Sequence, residues 1–121
     1  YRLLDSNINQ LVVWSNNGDL DDDLREALAT AAGLKNQEQQ LRQQANDLRQ
    51  QTQAITHEQN RIRSNMSSVD RNSQLYQRYI TKLSEQEDQL EALQTQAFEL
   101  DEQANAKRDE LSAYLSGLDV E

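Results

Sequence analysis

The sequence contains no cysteine and no proline, and it has only 3 glycines and 1 histidine among 121 residues. Without cysteine, the chain can form neither disulfides nor thiolate metal sites, and it has no thiol nucleophile. The shortage of glycine and proline argues against β-sandwiches, phosphate-binding loops and turn-rich enzyme folds, because these need residues that accept tight or left-handed backbone conformations. Long helices are the class of structure that remains.

Apolar and basic residues are also in short supply. Only 36% of residues are hydrophobic and 5% are aromatic, so the composition favours a narrow apolar seam between helices over a broad core. No apolar run approaches the roughly 20 residues of a membrane-spanning helix, and we expect no direct membrane insertion. The formal net charge is -9. Nucleic acid and anionic membrane surfaces would both repel such a chain, so neither is expected as a partner.

The first residues of the chain differ from the rest. A run of β-branched and aromatic residues at 11–14 predicts a strand over residues 10–15. We expect residues 1–18 to form an extended segment at the edge of a β-rich domain, in a longer protein of which this sequence, lacking an initiator Met, is a piece. A polar turn follows, and Asp19 with the aspartates at 21–23 predicts a helix start, because acidic side chains stabilise helix N-termini.

From residue 20 onward, apolar residues recur at alternating steps of four and three, which is the heptad pattern of a coiled coil. A polar segment at 70–73 interrupts the pattern, and Asn72 or Ser73 can cap a second helix there. We therefore predict an all-α fold: a long antiparallel two-helix coiled-coil hairpin, with helices at 19–68 and 73–118. The predicted seam positions are Leu20, Leu24, Ala27, Ala31, Leu34, Glu38, Leu41, Ala45, Leu48, Thr52, Ile55, Gln59, Ile62, Met66 and Val69 in the first helix, and Tyr76, Tyr79, Leu83, Gln86, Leu90, Leu93, Ala97, Leu100, Ala104, Lys107, Leu111, Tyr114 and Leu118 in the second.

The polar residues in the seam define a register for the two helices. A turn centred between Asn72 and Ser73 places large residues opposite small ones, and it also places Gln59 opposite Gln86 and Glu38 opposite Lys107. A shift of one heptad would bury charges without partners, which is costly. We therefore predict that these four residues set the register, through a hydrogen bond between the two glutamines and an ion pair between Glu38 and Lys107.

No set of residues indicates catalysis. His57 is alone on an outward heptad position, so it has no second imidazole or thiolate with which to bind a metal. The acidic clusters at 21–23, 85–88 and 101–102 point in different directions around their helices and do not converge as a general acid and base would. We expect no catalytic, metal or cofactor site, no small-molecule substrate and no enzymatic activity in this chain.

Three residues are candidates for contact with a partner. Arg71 and Arg78 belong to a basic group beside the turn, and Phe98 occupies an outward helical position. Each also has an ordinary explanation: the arginines as part of a solvated tip with intrachain ion pairs, and the phenylalanine as a single exposed apolar residue, which is common. Both interpretations stay open from the sequence.

Three stretches around the turn carry a family resemblance: EQNRIRSNM at 58–66, NSQLYQRY at 72–79 and KLSEQEDQLEAL at 82–93. They resemble the C-terminal segment of a bacterial family of uncharacterised proteins, itself similar to the mucoidy-inhibitor-like proteins with a domain of unknown function. The resemblance implies a β-rich region before the helices in the longer protein. It brings no catalytic residues.

The sequence therefore predicts a non-catalytic structural or protein-interaction arm of a larger bacterial protein. Its partners would be proteins, either the parent domain or a second copy of the chain. The alternative is an accessory arm of an enzyme whose active site lies outside this fragment. Nothing in the sequence indicates a compartment.

Overall fold

A computed structural model describes residues 22–118 as two helices joined by a turn. Helix α1 covers Asp22–Met66 and helix α2 covers Gln74–Leu118, with 45 residues each. Together they form the all-α helical hairpin that the heptad pattern predicts, and residues 22–118 contain no strand. The strand predicted at 10–15 and the helix start predicted at Asp19 lie outside the described residues.

Helix α1 ends at Met66, two residues before the predicted end. The hydroxyls of Ser67 and Ser68 donate hydrogen bonds to the carbonyls of Ser64 and Asn65, at 2.7 and 3.2 Å, and the Ser68 N–H also donates to Asn65, at 3.2 Å. Bonds to the third residue back tighten the last turn and satisfy carbonyls that a continuing helix would have bonded. The helix therefore stops where the serines begin.

Ser73 caps the N-terminus of α2, as one of the two predicted caps. Its Oγ accepts a hydrogen bond of 3.1 Å from the N–H of Tyr76, which has no partner within the helix, and donates one of 2.6 Å to the carbonyl of Asp70. The Asp70 carboxylate in turn accepts from the N–H of Asn72 at 3.0 Å. Side-chain oxygens thus accept hydrogen bonds from backbone N–H groups of the turn and of the first helical turn, which have no carbonyl partner within a helix.

The chain divides into two compact units. Of the described residues, 22–42 and 101–118 belong to the terminal unit, and Gln43–Leu100 form the turn unit. Every predicted seam position of the turn unit is buried or half-buried, which confirms the seam in this unit. These positions are Ala45, Leu48, Thr52, Ile55, Gln59, Ile62, Met66, Val69, Tyr76, Tyr79, Leu83, Gln86, Leu90, Leu93, Ala97 and Leu100.

The described part of the terminal unit has its own apolar cluster. Ala31, Leu111 and Leu115 are buried together, and Leu34 and Tyr114 pack against them. The predicted register opposes Ala31 to Tyr114 and Leu34 to Leu111, so the cluster contains both residues of two predicted layers. The helices therefore meet in this unit at the positions that the register predicts.

Three leucines of the terminal unit depart from the predicted seam. Leu28 and Leu115 are buried although each lies one position beyond the seam, whereas Leu24, a predicted seam residue, is exposed. Alanines occupy the seam next to Leu28, at Ala27 and Ala31, and they supply little apolar volume. The leucines on the flank of the seam add the volume that these small residues lack.

Candidate interaction site beside the turn

The three predicted partner contacts all belong to the turn unit, but the structure does not bring them together. Arg71 lies in the turn between the helices and Arg78 lies in the second turn of α2, and both are exposed. Phe98 is on the same helix 20 residues after Arg78, which corresponds to about 30 Å along the helix axis. The arginines and Phe98 therefore belong to two different surfaces.

Arg71 and Arg78 differ from the other basic residues of the described chain in having no partner within it. Each other lysine or arginine between residues 22 and 118 bonds to a carboxylate or to a side-chain amide. Intrachain ion pairing therefore explains the rest of the basic residues but not these two. The paired residues are Arg25, Lys35, Arg42, Arg49, Arg61, Arg63, Lys82, Lys107 and Arg108.

A surface depression of about 270 Å³ lies beside Arg78. Its lining consists of Arg61, Leu75, Arg78, Tyr79 and Lys82, so it contains three cations, one phenol, one leucine and no carboxylate. We call it the basic depression. The sequence pattern singled out Arg78 but missed Leu75 and Lys82, although Lys82 lies one helical turn after Arg78 and could have been found from that spacing.

Glu58 joins two of the cations of the basic depression. Its carboxylate accepts hydrogen bonds from Arg61 Nε at 3.0 Å and from Arg61 Nη2 at 2.5 Å, and Lys82 Nζ lies 3.4 Å from Oε1. The Arg61 hydrogen bonds, opposed by partial desolvation and assisted by the charges of Arg61 and Lys82, lower the pKa of Glu58 from 4.5 to about 2. The same carboxylate raises the pKa of Arg61.

The depressed pKa of Glu58 predicts an acid-sensitive contribution to stability. A carboxyl with a lower pKa in the folded than in the unfolded state stabilises the fold fully above the unfolded pKa of 4.5, and this stabilisation declines below that pH and is lost as the pH falls through about 2. Glu58→Gln should therefore lower the urea midpoint at pH 6 and lower it much less at pH 2, where Glu58 is largely protonated in the unfolded state and partly protonated in the folded state. Urea unfolding followed by circular dichroism at both pH values measures this difference.

The matched control for this prediction is Glu91→Gln, which makes the same substitution at an exposed carboxylate of the turn unit. Glu91 has no ion pair in the described chain, so its replacement should not lower the midpoint at pH 6. If Glu58→Gln and Glu91→Gln gave the same midpoints at pH 6, the ion pairs of Glu58 would contribute nothing to stability.

The polar layer of the turn unit is buried, as the register predicts, but its hydrogen bonds differ from the prediction. Gln59 donates from Nε2 to Glu87 Oε1 at 3.0 Å, and Oε1 of Gln86 is buried without a hydrogen-bond partner. The predicted bond between Gln59 and Gln86 is therefore not formed. A carboxylate is a stronger acceptor than an amide carbonyl, and Glu87 lies one residue beyond Gln86.

The predicted ion pair in the terminal unit is also absent. Glu38 is buried, but its carboxylate binds Lys35 at 3.4 Å and Arg42 at 2.9 Å on its own helix, whereas Lys107 binds Glu110 at 3.6 Å. Partners three or four residues away on one helix are already within reach. A 3.1 Å hydrogen bond from Arg42 Nη2 to Asn105 Oδ1 joins the two helices in this unit instead.

The described residues form no cluster of metal-ligating side chains and no membrane-spanning helix. His57 is exposed on α1. Within residues 22–118, no group of three or more histidine or acidic side chains is placed to hold a metal ion. Neither α1 nor α2 has a stretch long and apolar enough to cross a membrane.

Comparisons with protein-family models, with curated proteins and with solved structures find no match to this chain. The turn unit carries a basic depression at one surface and an exposed phenylalanine at another.

Proposed function

We propose that this chain is a non-catalytic coiled-coil arm that makes protein–protein contacts within a larger bacterial protein of the family that its turn resembles. The proposal concerns a structural and interaction role. It assigns the contact to the outer surface of the turn unit, because the seam of that unit is already occupied by packing between α1 and α2.

The observation that carries the proposal is the exposure of Phe98. Its side chain is 64% exposed, more than that of any other large hydrophobic residue of the described chain. Aromatic residues make up only 5% of the sequence, so one of the few is left in water. Covering the exposed part of such a ring contributes about 1–2 kcal/mol to an association. Buried aromatic side chains are the commonest anchors of protein interfaces.

The surroundings of Phe98 favour a protein partner with some basic character. Residues 85–100 include five acidic and no basic residues, and the acidic residues of this stretch are exposed. An anionic membrane or a nucleic acid would be repelled by this surface. A protein surface that combines an apolar pocket with lysine or arginine would complement it.

Site-specific photo-crosslinking in the full-length parent protein tests the proposal. A photoreactive residue at position 98 or 78 should form crosslinks to protein. The matched control is the same photoreactive residue at position 57. His57 is exposed on an outward heptad position of α1, and no partner contact is predicted there. Crosslinks at 98 or 78 that exceed those at 57 would support a contact surface.

Equal or absent crosslinking at all three positions would overturn the proposal and would favour a passive spacer. The enzyme-arm alternative makes a different prediction, namely that an activity of the full-length parent falls when residues 22–118 are deleted. A deletion that abolished an activity while positions 98 and 78 stayed uncrosslinked would favour that alternative.

A further inference from the structure

The basic depression stands out because of its sign. Five basic and two acidic residues lie between positions 58 and 82, and the remainder of the chain has 7 basic and 19 acidic residues. The lining of the depression has three cations and no carboxylate, so its charge is opposite in sign to the net charge of the whole chain. Arg78, which has no partner in the described chain, is available to an acidic ligand that the rest of the molecule repels.

From this arrangement we infer that the basic depression binds an acidic segment of a partner protein, in which a glutamate or aspartate carboxylate contacts Arg78 and a neighbouring apolar side chain packs on Leu75. The inference rests on the proposed interaction function and names the chemistry of one partner. The contact is separate from the one assigned to Phe98.

Three side chains of the depression keep hydrogen-bond donors that no group of the described chain uses. Arg78 has no intrachain partner, and Arg61 uses only Nε and Nη2 to bind Glu58, which leaves the N–H groups of Nη1. Tyr79 Oη accepts a hydrogen bond from Asn65 Nδ2 at 3.4 Å, so its own O–H is free to donate. A site with donors and no acceptor selects a ligand that supplies acceptors, and a carboxylate supplies two oxygens in the geometry of a guanidinium.

Two features favour a protein carboxylate over inorganic phosphate or a lipid headgroup. Arg61 and Lys82 are already paired with Glu58, so Arg78 is the unpaired cation of the depression, and the single charge of a carboxylate balances one guanidinium whereas phosphate carries more than one negative charge. Leu75 lines the same depression and is exposed. An apolar side chain next to the carboxylate would cover Leu75, whereas a phosphate ion would leave it in water.

A second depression along α2, of about 330 Å³, shares Arg78 and Lys82 with the basic depression and is also lined by Gln77, Thr81 and Glu85. An extended segment that entered at Arg78 would meet the amide and hydroxyl groups of Gln77 and Thr81 next. Glu85 closes this direction to further acidic residues. The acidic residues of the ligand are therefore expected at the end that contacts Arg78.

The experiment uses a fluorescent peptide that alternates glutamate and leucine, and the matched peptide that alternates glutamine and leucine. Fluorescence anisotropy with the wild-type chain should show binding of the glutamate peptide that weakens with added salt. The glutamine peptide should bind at least about tenfold more weakly, because it cannot form charge-assisted bonds with Arg78.

Variants then assign the binding to the depression. Arg78→Glu should raise the Kd of the glutamate peptide at least about tenfold, and Leu75→Ser should raise it for both peptides. The control is Arg108→Glu, which makes the same change in net charge at an arginine that is paired with Asp109 in the terminal unit, and it should leave the Kd unchanged. Both tested residues are exposed, so helix content measured by circular dichroism should be the same in every variant.

Three outcomes would overturn the inference: no binding of the glutamate peptide, equal binding of the two peptides, or equal effects of Arg78→Glu and Arg108→Glu. Displacement of the peptide by inorganic phosphate at equal concentration, or stronger binding of phosphatidylglycerol vesicles, would also overturn it in favour of a phosphate site. Any of these results together with strong crosslinking at position 98 would leave the proposed function intact.

Discussion

Ile62→Ala should lower the free energy of unfolding by about 2–4 kcal/mol, the largest loss expected from a single truncation in the turn unit. Ile62 is 0% exposed in the seam between α1 and α2, so its removal forfeits the transfer free energy of three carbon atoms and leaves a cavity. A narrow seam has few residues with which to fill that cavity. Urea unfolding followed by circular dichroism measures the change.

Ile80→Ala is the matched control, since it is the same substitution in the same unit at a side chain that is 44% exposed. We expect its cost to stay below about 1 kcal/mol, because much of the isoleucine surface is in water before and after the change. Equal losses for the two variants would mean that the seam around Ile62 does not contribute packing energy beyond helix propensity.

Gln86→Leu should raise the free energy of unfolding by about 1–2 kcal/mol. Gln86 is 6% exposed, and its Oε1 has no hydrogen-bond partner. Burying a carbonyl oxygen without a hydrogen bond to replace the one it makes to water costs about 1–3 kcal/mol of folding free energy. Leucine has a similar volume and removes that cost, while Gln59 keeps its hydrogen bond to Glu87.

The control for this prediction is Gln89→Leu, which makes the same substitution at an exposed position of α2 and should change the stability by less than about 0.5 kcal/mol. Loss of stability in Gln86→Leu would contradict the assignment of a polar group without a partner. It would indicate that the amide contributes to the register by bonds that leucine cannot replace.

The difference between the predicted and observed polar contacts has a simple physical basis. The heptad pattern correctly places Gln59, Gln86 and Glu38 at buried positions. It cannot choose among hydrogen-bond partners, because several acceptors lie within reach of each long side chain. Glu38 pairs with two basic residues of its own helix, which are the nearest partners. Gln59 donates to the carboxylate of Glu87, one residue beyond the predicted partner.

The candidate site was only partly accessible from the sequence. Composition and position were enough to single out Arg71, Arg78 and Phe98, because basic residues beside a turn and an aromatic residue on an outward helical position are visible in the heptad pattern. The lining of the basic depression could not be predicted from the sequence, because Arg61 comes from α1 and the other four residues come from α2. Only the folded turn unit places them together.

The sequence by itself determined the two helices of residues 22–118 and the seam of the turn unit. Two heptad runs separated by a polar turn specify two helices, and the spacing of their apolar residues specifies which faces meet, because burial of a narrow stripe follows directly from helical periodicity.

The tertiary structure alone decided the end of α1 at Met66, the partners of the buried polar groups and the pairing of each basic residue. These depend on distances of a few ångströms between side chains that several rotamers can reach, and a repeating pattern contains no information about which rotamer is occupied. It also decided that Arg71 and Arg78 stay unpaired in the described chain while Arg61 and Lys82 do not, because Glu58 lies within reach of only the latter pair.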